Sequence, residues 1–505
     1  MEDHFVGRGP GAAGVPAAER IGPVPYESEP ADGAVWAAAW ELLLPTATAP
    51  PRQRGRVLQE ALRDAVRSGR LVAGTRLPSG RALAADLGVS RGLVTEAYEQ
   101  LTAEGYLRSR RGAGTWVGGT VRGAVPAAAG PAPQESAPDV DFTPGTPDLS
   151  LFPRAAWSAA HRRAVSRLPH RALGYPDPRG LPELRGEIAR LLTRRRGVVA
   201  DPGRVVVCSG VAQAMTLLGF TLHGAGQRTV AVEEPGSPDH RALFAAAGLE
   251  AVPLPLDGEG PDPAALAASG ARTAVLTPSH QFPTGTAVSA ARRSALLRWA
   301  RAVDGLIVED DYDGDFRYDR APVGALQGLD PDRVAYTGSV SKSLAPGLRL
   351  GWLVVPARLL DGVTARKRLL DLGNPVLDQA LLADLVARGD YDRQLRRCQR
   401  AYRERRDALT AALAVHCPGA VVTGIAAGLH AIVALPARCG PEAAFLGRAR
   451  RAGLGLRPLA DYEWAGRRGP AAGRDGRVRL VLGYAHLTPS EIARGVALLG
   501  GLGTV

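Results

Sequence analysis

At 505 residues with 45% hydrophobic side chains, the chain is long enough for about two to four domains and a sizeable buried core, which excludes a single small module. The net charge of +12 fits a polyanionic partner, yet arginine is spread along the whole chain, so the position of the charge has to decide. No apolar run approaches the roughly 20 residues of a spanning helix and no basic and apolar leader opens the chain. Cys208, Cys398, Cys417 and Cys439 show neither close pairing nor metal-ligand spacing, so a reduced, cytoplasmic protein without membrane span or metal is expected.

Residues 1–48 are rich in Gly, Pro, Ala and charge and read as a largely flexible extension. Within them Ala34 to Leu44, with Trp36 and Trp40, suits a short amphipathic helix packed on a neighbouring domain.

A separate folded unit is expected over 49–118. From Gly55, Val57/Leu58, Ala61/Leu62 and Ala65/Val66 recur at helical spacing until Ser68-Gly69 stops the run. Ser79 caps a second helix from Gly80 to Leu87, Gly88 and Val89 turn, and Ser90 caps a third with Val94, Ala97, Tyr98 and Leu101 as its buried stripe. Gly105 to Val117 then alternates as two strands around a Gly-rich turn, which completes a winged helix-turn-helix. Between Arg52 and Val117 stand 12 arginines against 6 Asp and Glu, so a net +6, half of the chain's excess, falls in this segment. In that geometry the third helix enters the major groove with Arg91 near base edges or phosphate and Ser90 and Thr95 at the DNA backbone. Arg81, Arg110 and Arg111 lie near phosphates. A helical protein-interaction module with a solvated basic face is the competing reading; it does not account for turn, caps and wing coming together in order.

Leu77-Pro-Ser-Gly-Arg-Ala-Leu-Ala-Ala-Asp-Leu-Gly-Val-Ser-Arg91, Ala97-Tyr-Glu-Gln-Leu-Thr-Ala-Glu-Gly-Tyr-Leu107 and Gly112-Ala-Gly-Thr-Trp-Val117 resemble the GntR-type winged-helix domain. The resemblance implies DNA contacts at Arg81, Ser90, Arg91 and the wing glycine Gly114. Gly92 departs, since that family often has Thr or another hydrogen-bonding residue there.

Residues 119–140 are Gly, Ala and Pro with few apolar anchors and read as a linker. From 141 to 505 apolar strands alternate with amphipathic helices, as in a mostly parallel α/β domain. Lys342 and Lys367 are the only two lysines among 62 Lys+Arg, and an amine forms an imine with an aldehyde where a guanidinium cannot. Lys342 follows a strand from Val334 to Gly338, with Ser339, Ser341 and Arg349 able to neutralise a phosphate ester. The strand from Arg204 to Cys208 runs into Ser209-Gly210 and a helix from Val211 to Leu222, a turn that offers backbone N–H groups to an anion or is simply structural. The strand from Gly305 ends in Glu309, Asp310, Asp311 and Tyr312, where open α/β sheets bind ligands; metal ligation or a hydrated loop is the alternative. A carboxylate for a protonated ring nitrogen, an amine for an aldehyde and donors for a phosphate together describe pyridoxal 5′-phosphate.

Gly174-Tyr-Pro-Asp-Pro-Arg-Gly-Leu-Pro-Glu-Leu-Arg185, Thr277-Pro-Ser-His-Gln-Phe-Pro-Thr-Gly285, Glu309-Asp-Asp-Tyr-Asp313 and the Lys342 segment resemble the fold-type-I aminotransferases. Joined to the GntR-type head, the chain is similar to the MocR family of transcription regulators. The resemblance implies Lys342 as the Schiff-base lysine, Asp310 on the pyridine nitrogen, Tyr312 by the ring hydroxyl, and Ser209, Gly210, Ser339, Ser341 and Arg349 around the phosphate. It also implies a homodimer in which Tyr175 reaches the phosphate of the neighbouring subunit. Phe282 occupies the position where aminotransferases place an asparagine on the ring hydroxyl. Ser237 stands where many relatives stack an aromatic residue on the ring, and Val481 where aminotransferases grip the substrate carboxylate with an arginine. Arg479, two residues earlier on the same strand face, either substitutes or is structural, and His430 reads as a hydrogen-bonded structural residue.

The expected function is a regulator that binds double-stranded operator DNA and senses the cofactor itself, or an amine or amino acid, through aldimine formation at Lys342, with catalytic turnover optional. An active aminotransferase with an appended DNA-binding head is the alternative. A winged-helix repressor whose large domain is only a dimerisation scaffold is the third reading.

Overall fold

The structure is a computed structural model that describes residues 45–110, 112–118, 137–319, 323–464 and 477–503. The chain divides into two compact units, one ending at Glu135 and one beginning at Ser136. The helix expected over Ala34 to Leu44 and most of the expected linker lie outside the described residues.

In the first unit the helix Arg54–Arg67 buries Leu58, Leu62, Ala65 and Val66, the stripe that a period of 3.6 residues puts on one face. After β1 (Arg76–Leu77), Ser79 Oγ accepts the Ala82 N–H and opens the helix Gly80–Leu87. Gly88 ends that helix with φ 62, a left-handed step that glycine takes at no steric cost. Ser90 Oγ accepts the Leu93 N–H at the head of Arg91–Ala103, whose buried residues are Val94, Ala97, Tyr98 and Leu101. β2 (Leu107–Arg110) and β3 (Gly114–Val117) pair as the wing hairpin. β1 pairs with β3 on its other side, an addition to the expected hairpin, because two residues carry no readable periodicity.

In the second unit, β4 (Val140–Asp141) pairs with β15 (Leu454–Gly455), so this unit takes in Val140 from the stretch read as linker. The central sheet has eight strands in the order β5 (Val205–Cys208), β12 (Gly351–Val354), β11 (Val334–Ser339), β10 (Leu306–Asp310), β9 (Thr273–Leu276), β6 (Thr229–Glu234), β7 (Glu250–Asp257) and β8 (Gly260–Pro261). β11, β10, β9, β6 and β7 are parallel, while β12 runs antiparallel to both β11 and β5. The carboxyl ends of β5, β11, β10, β9 and β6 therefore share one edge, and β12 starts from it. Both faces are covered: Val206, Met215, Leu218 and Val308 pack on one side, Val207, Tyr336, Trp352 and Leu382 on the other, the arrangement a parallel sheet requires. A smaller antiparallel sheet of β13 (Val421–Thr423), β14 (His430–Ala434) and β16 (Arg479–Gly483) packs on Phe142, Phe445 and Ile492. Among the described residues, no helix is long and apolar enough to cross a membrane.

Candidate functional site

Because β12 returns between β11 and β5, Gly351 pairs with both Ser339 and Cys208. That register brings the turn after β5, the residues after β11 and Arg349 to one place. Gly210, at φ 83, opens the helix Val211–Gly224 without a side-chain cap, which leaves N–H groups at a helix head for an anion. A Cβ on Gly210 would come within 3.0 Å of Arg349 Nη2. Arg349 itself adopts φ 50, a left-handed arginine that costs of order 1 kcal/mol, and its guanidinium donates to the Ser209 carbonyl oxygen. Ser209 Oγ accepts from Asn374 Nδ2 at 2.9 Å, and Ser339 Oγ from the Ser341 N–H at 3.3 Å.

Lys342 and Asp310 line one cleft of about 290 Å³, together with Ser237, Phe282, Tyr312 and His430. Lys342 Nζ donates to the Gly145 carbonyl oxygen at 2.5 Å. Burial holds this amine below its usual range, against the pull of Asp310 and Asp313. Asp310 is 7% exposed, lies 3.0 Å from His240 Nε2 and accepts from Thr337 Oγ1 at 3.2 Å. Burial alone would lower the His240 imidazole, but the hydrogen bond to Asp310 and that residue's charge raise it on balance. The pair keeps a carboxylate in a dry place, where it can face a protonated ring nitrogen. His240 escaped the sequence reading because it meets Asp310 across 70 residues of chain.

Tyr312 donates its hydroxyl to the His280 carbonyl oxygen at 3.1 Å, with His280 Nδ1 also at 3.1 Å. Burial, with Asp313 adding, pushes this phenol well above its usual range. His280 Nδ1 lies 2.7 Å from Asp313 Oδ2, and burial raises the Asp313 carboxyl against the pull of His280. His280, Asp313 and His430 bring possible metal-ligating atoms within 4.8 Å of one another. The short His280–Asp313 contact is a hydrogen bond between Nδ1 and Oδ2. His430 Nε2 lies 3.1 Å from the Pro283 carbonyl oxygen, and burial, helped by His280, pushes its imidazole down to about 3. A neutral His430 thus donates to Pro283, as a structural histidine does, and also lines the cleft. Phe282 meets Tyr312, His430 and Tyr462 edge-on, at 5.9, 5.1 and 5.2 Å between ring centroids.

The structure does not bring every expected residue to this cleft. The register of β14 and β16 sets His430 opposite Gly483 and Ala434 opposite Arg479. Arg479 therefore lies four residues along the strand from the end that reaches the cleft, about 13 Å away. Val481 is fully buried with Ile432 and Leu459. Tyr175 is 91% exposed and lies beside Arg368 and Leu372 in a separate hollow.

In the first unit Arg81, Ser90, Arg91, Thr95 and Arg110 are exposed. A Cβ on Gly80 would sit 3.7 Å from Thr95 Oγ1, so the heads of the second and third helices come together. The Thr95 hydroxyl donates to the Arg91 carbonyl oxygen at 3.0 Å, which spends its proton within the helix. Gly114 takes φ 127, and a Cβ there would lie 3.3 Å from Arg76 Nε, so the wing tip needs a glycine. Arg111 lies outside the described residues.

An amine, a carboxylate in the same cleft and an anion turn under an arginine fit pyridoxal 5′-phosphate. The profile of the class I and II aminotransferases matches residues 139–495, and that of the bacterial regulatory proteins of the gntR family matches residues 55–117. The probable rhizopine catabolism regulatory protein MocR of Rhizobium meliloti is 38% identical, over 70% of this chain and 76% of its own. The uncharacterized HTH-type transcriptional regulator YhdI of Bacillus subtilis is 36% identical, over 72% of this chain and 80% of its own. Among solved structures, the kynurenine aminotransferase of Pyrococcus horikoshii superposes with a TM-score of 0.63 at 26% identity, covering 72% of this chain and 90% of that one.

Proposed function

As the chain belongs to the class I and II aminotransferase family through its larger unit and to the MocR-type transcription regulators through both units, we propose that it controls transcription by sensing an amine, an amino acid or the cofactor itself at Lys342. The head is a GntR-type DNA-binding domain, and the larger unit binds pyridoxal 5′-phosphate. When bound, that cofactor supplies an aldehyde that takes up an amine. Lys342 is the residue that holds it, and burial leaves its amine a readier nucleophile. Asp310, held by His240, faces the ring nitrogen. Ser209, Gly210, Ser339, Ser341 and Arg349 hold the phosphate, and Tyr312 and Phe282 lie on the ring-hydroxyl side.

One observation carries the choice of sensor over enzyme: the cleft has its amine and its carboxylate, while the position for gripping a substrate carboxylate is Val481, buried in an apolar cluster. Lys342 also donates a hydrogen bond to the carbonyl oxygen of Gly145, ten residues after the end of the first unit. A change at that amine therefore acts on the chain segment that leads from the head. Tyr175 and Leu369, 91% and 86% exposed, with Leu372 on the same hollow, offer apolar surface that the second subunit of a homodimer covers. Arg81, Ser90, Arg91, Thr95, Arg110, Arg111 and Gly114 contact operator DNA. Such a regulator, with buried free cysteines, works in the cytoplasm.

The test is a gel shift of cofactor-loaded protein on its operator with a panel of amines and amino acids. We expect one class of amine to change operator affinity in the wild type and to do nothing in Lys342→Ala. An equal response in Lys342→Ala, or steady conversion of an amino and keto acid pair by the purified protein, contradicts the sensor.

A further inference from the structure

Lys367, the second of the two lysines, lies on the helix Ala357–Asp371 and is 0% exposed. Its Nζ donates to Gln213 Oε1 at 3.2 Å, Asp371 Oδ2 at 2.8 Å and Asn374 Oδ1 at 2.7 Å. An ammonium has three protons and no acceptor, so every proton is placed, and each partner must turn an oxygen toward it. With its oxygen on Lys367, Asn374 presents Nδ2 to Ser209 and donates to Oγ at 2.9 Å. Gln213 obeys the same rule: Oε1 also accepts the Ser209 N–H at 2.8 Å, and Nε2 donates to Asp371 at 2.7 Å. Ser209 is thus held at both its N–H and its hydroxyl oxygen. An oxygen that already accepts an amide N–H has its one hydrogen left to give.

We propose that Lys367 is a positioning residue for the phosphate end of the site: through Asn374 and Gln213 it makes Ser209 a hydrogen-bond donor to the phosphate. Without the ammonium the Asn374 amide is free to turn its oxygen to Ser209 and take that hydrogen. Arginine, which serves nearly everywhere else in this chain, does not replace it, because a planar fork cannot aim three donors from one atom. The inference rests on the assignment of Ser209 to the phosphate.

The experiment compares pyridoxal 5′-phosphate with pyridoxal, which lacks the phosphate, on the full-length protein. Binding is followed by visible absorbance and tryptophan fluorescence in wild type, Lys367→Met, Asn374→Ala, Ser209→Ala and the Ser209→Ala/Asn374→Ala double variant, with near-UV circular dichroism as the check on folding. Each single variant is expected to weaken the phosphorylated ligand about tenfold, the worth of one hydrogen bond to a charged group, and pyridoxal by less than about twofold. The double variant is expected to lose no more than Ser209→Ala, because Asn374 acts through Ser209. Equal losses for both ligands, an unchanged ratio in Asn374→Ala, or additive losses in the double variant overturn the proposal, and Asn374→Ala decides it if Lys367→Met does not fold. If Ser209→Ala itself leaves the ratio unchanged, the phosphate assignment of Ser209 is what fails, and the role of Lys367 goes with it.

Discussion

At the turn after β5, Ser209, Gly210 and Arg349 are set by strand register, and Ser209 is held by Gln213 and Asn374. In the Lys342 cleft Phe282 packs edge-on to His430 and Tyr462, and behind it Val481 is buried in a small apolar cluster with Ile432, Leu459 and Tyr462. The first region spends buried polar groups in a satisfied network, which fixes a geometry. In the second, Val481, Ile432 and Leu459 offer a carboxylate no polar side chain. A protein that must hold a cofactor needs only the first, whereas one that must orient and turn over amino acids needs both.

The hardest blow to this contrast would be a tolerated cation at Val481. Val481→Arg places an unpaired charge in a buried cluster and is expected to cost about 3 to 5 kcal/mol of stability, read from denaturant midpoints. Wild-type stability with new affinity for amino acids would mean that this end is built to receive an arginine after all. Next in size, Asp310→Ala is expected to weaken cofactor binding by about a hundredfold, as loss of a bond to a charged group does, in an absorbance titration. In the other unit, Arg91→Ala is expected to weaken operator binding about tenfold and to make its salt dependence shallower by about one counterion, with the cofactor titration unchanged.

The smallest effect concerns pH. Burial pushes Glu233 and Glu309 up to about 7, whereas an unfolded glutamate titrates near about 4.3. Between those values the folded state holds more protons, so stability falls as pH rises. His240, raised by Asp310, adds stability that is present below about pH 6.5 and lost as pH climbs through its folded value. The denaturant midpoint is therefore expected to be higher near about pH 5.5 than near about pH 7.5, and Glu233→Gln to narrow that gap by on the order of 1 kcal/mol.

Local signals carried the first unit. Ser79 and Ser90 cap helices at the residues where their sequence pattern puts them, because a cap bond spans only three residues. The strands that end at Cys208, Asp310 and Ser339 were equally legible from short apolar runs. What stayed hidden is what the chain assembles over distance. The antiparallel return of β12, the contact of His240 with Asp310 and the His280–Asp313 pair join segments that share no periodicity. Lysine scarcity singled out Lys342; Lys367 carried the same signal, but its partners Gln213 and Asn374 are neutral amides with no spacing that marks a site.

Those two lysines allow a direct test of the anchor. Cofactor-loaded protein is reduced with borohydride, digested and mapped by mass spectrometry. The cofactor's mass is predicted on the peptide that contains Lys342, with none retained by a folded Lys342→Ala. Label on the Lys367 peptide, or equal retention by Lys342→Ala, would contradict the assignment of Lys342 as the residue that holds the cofactor.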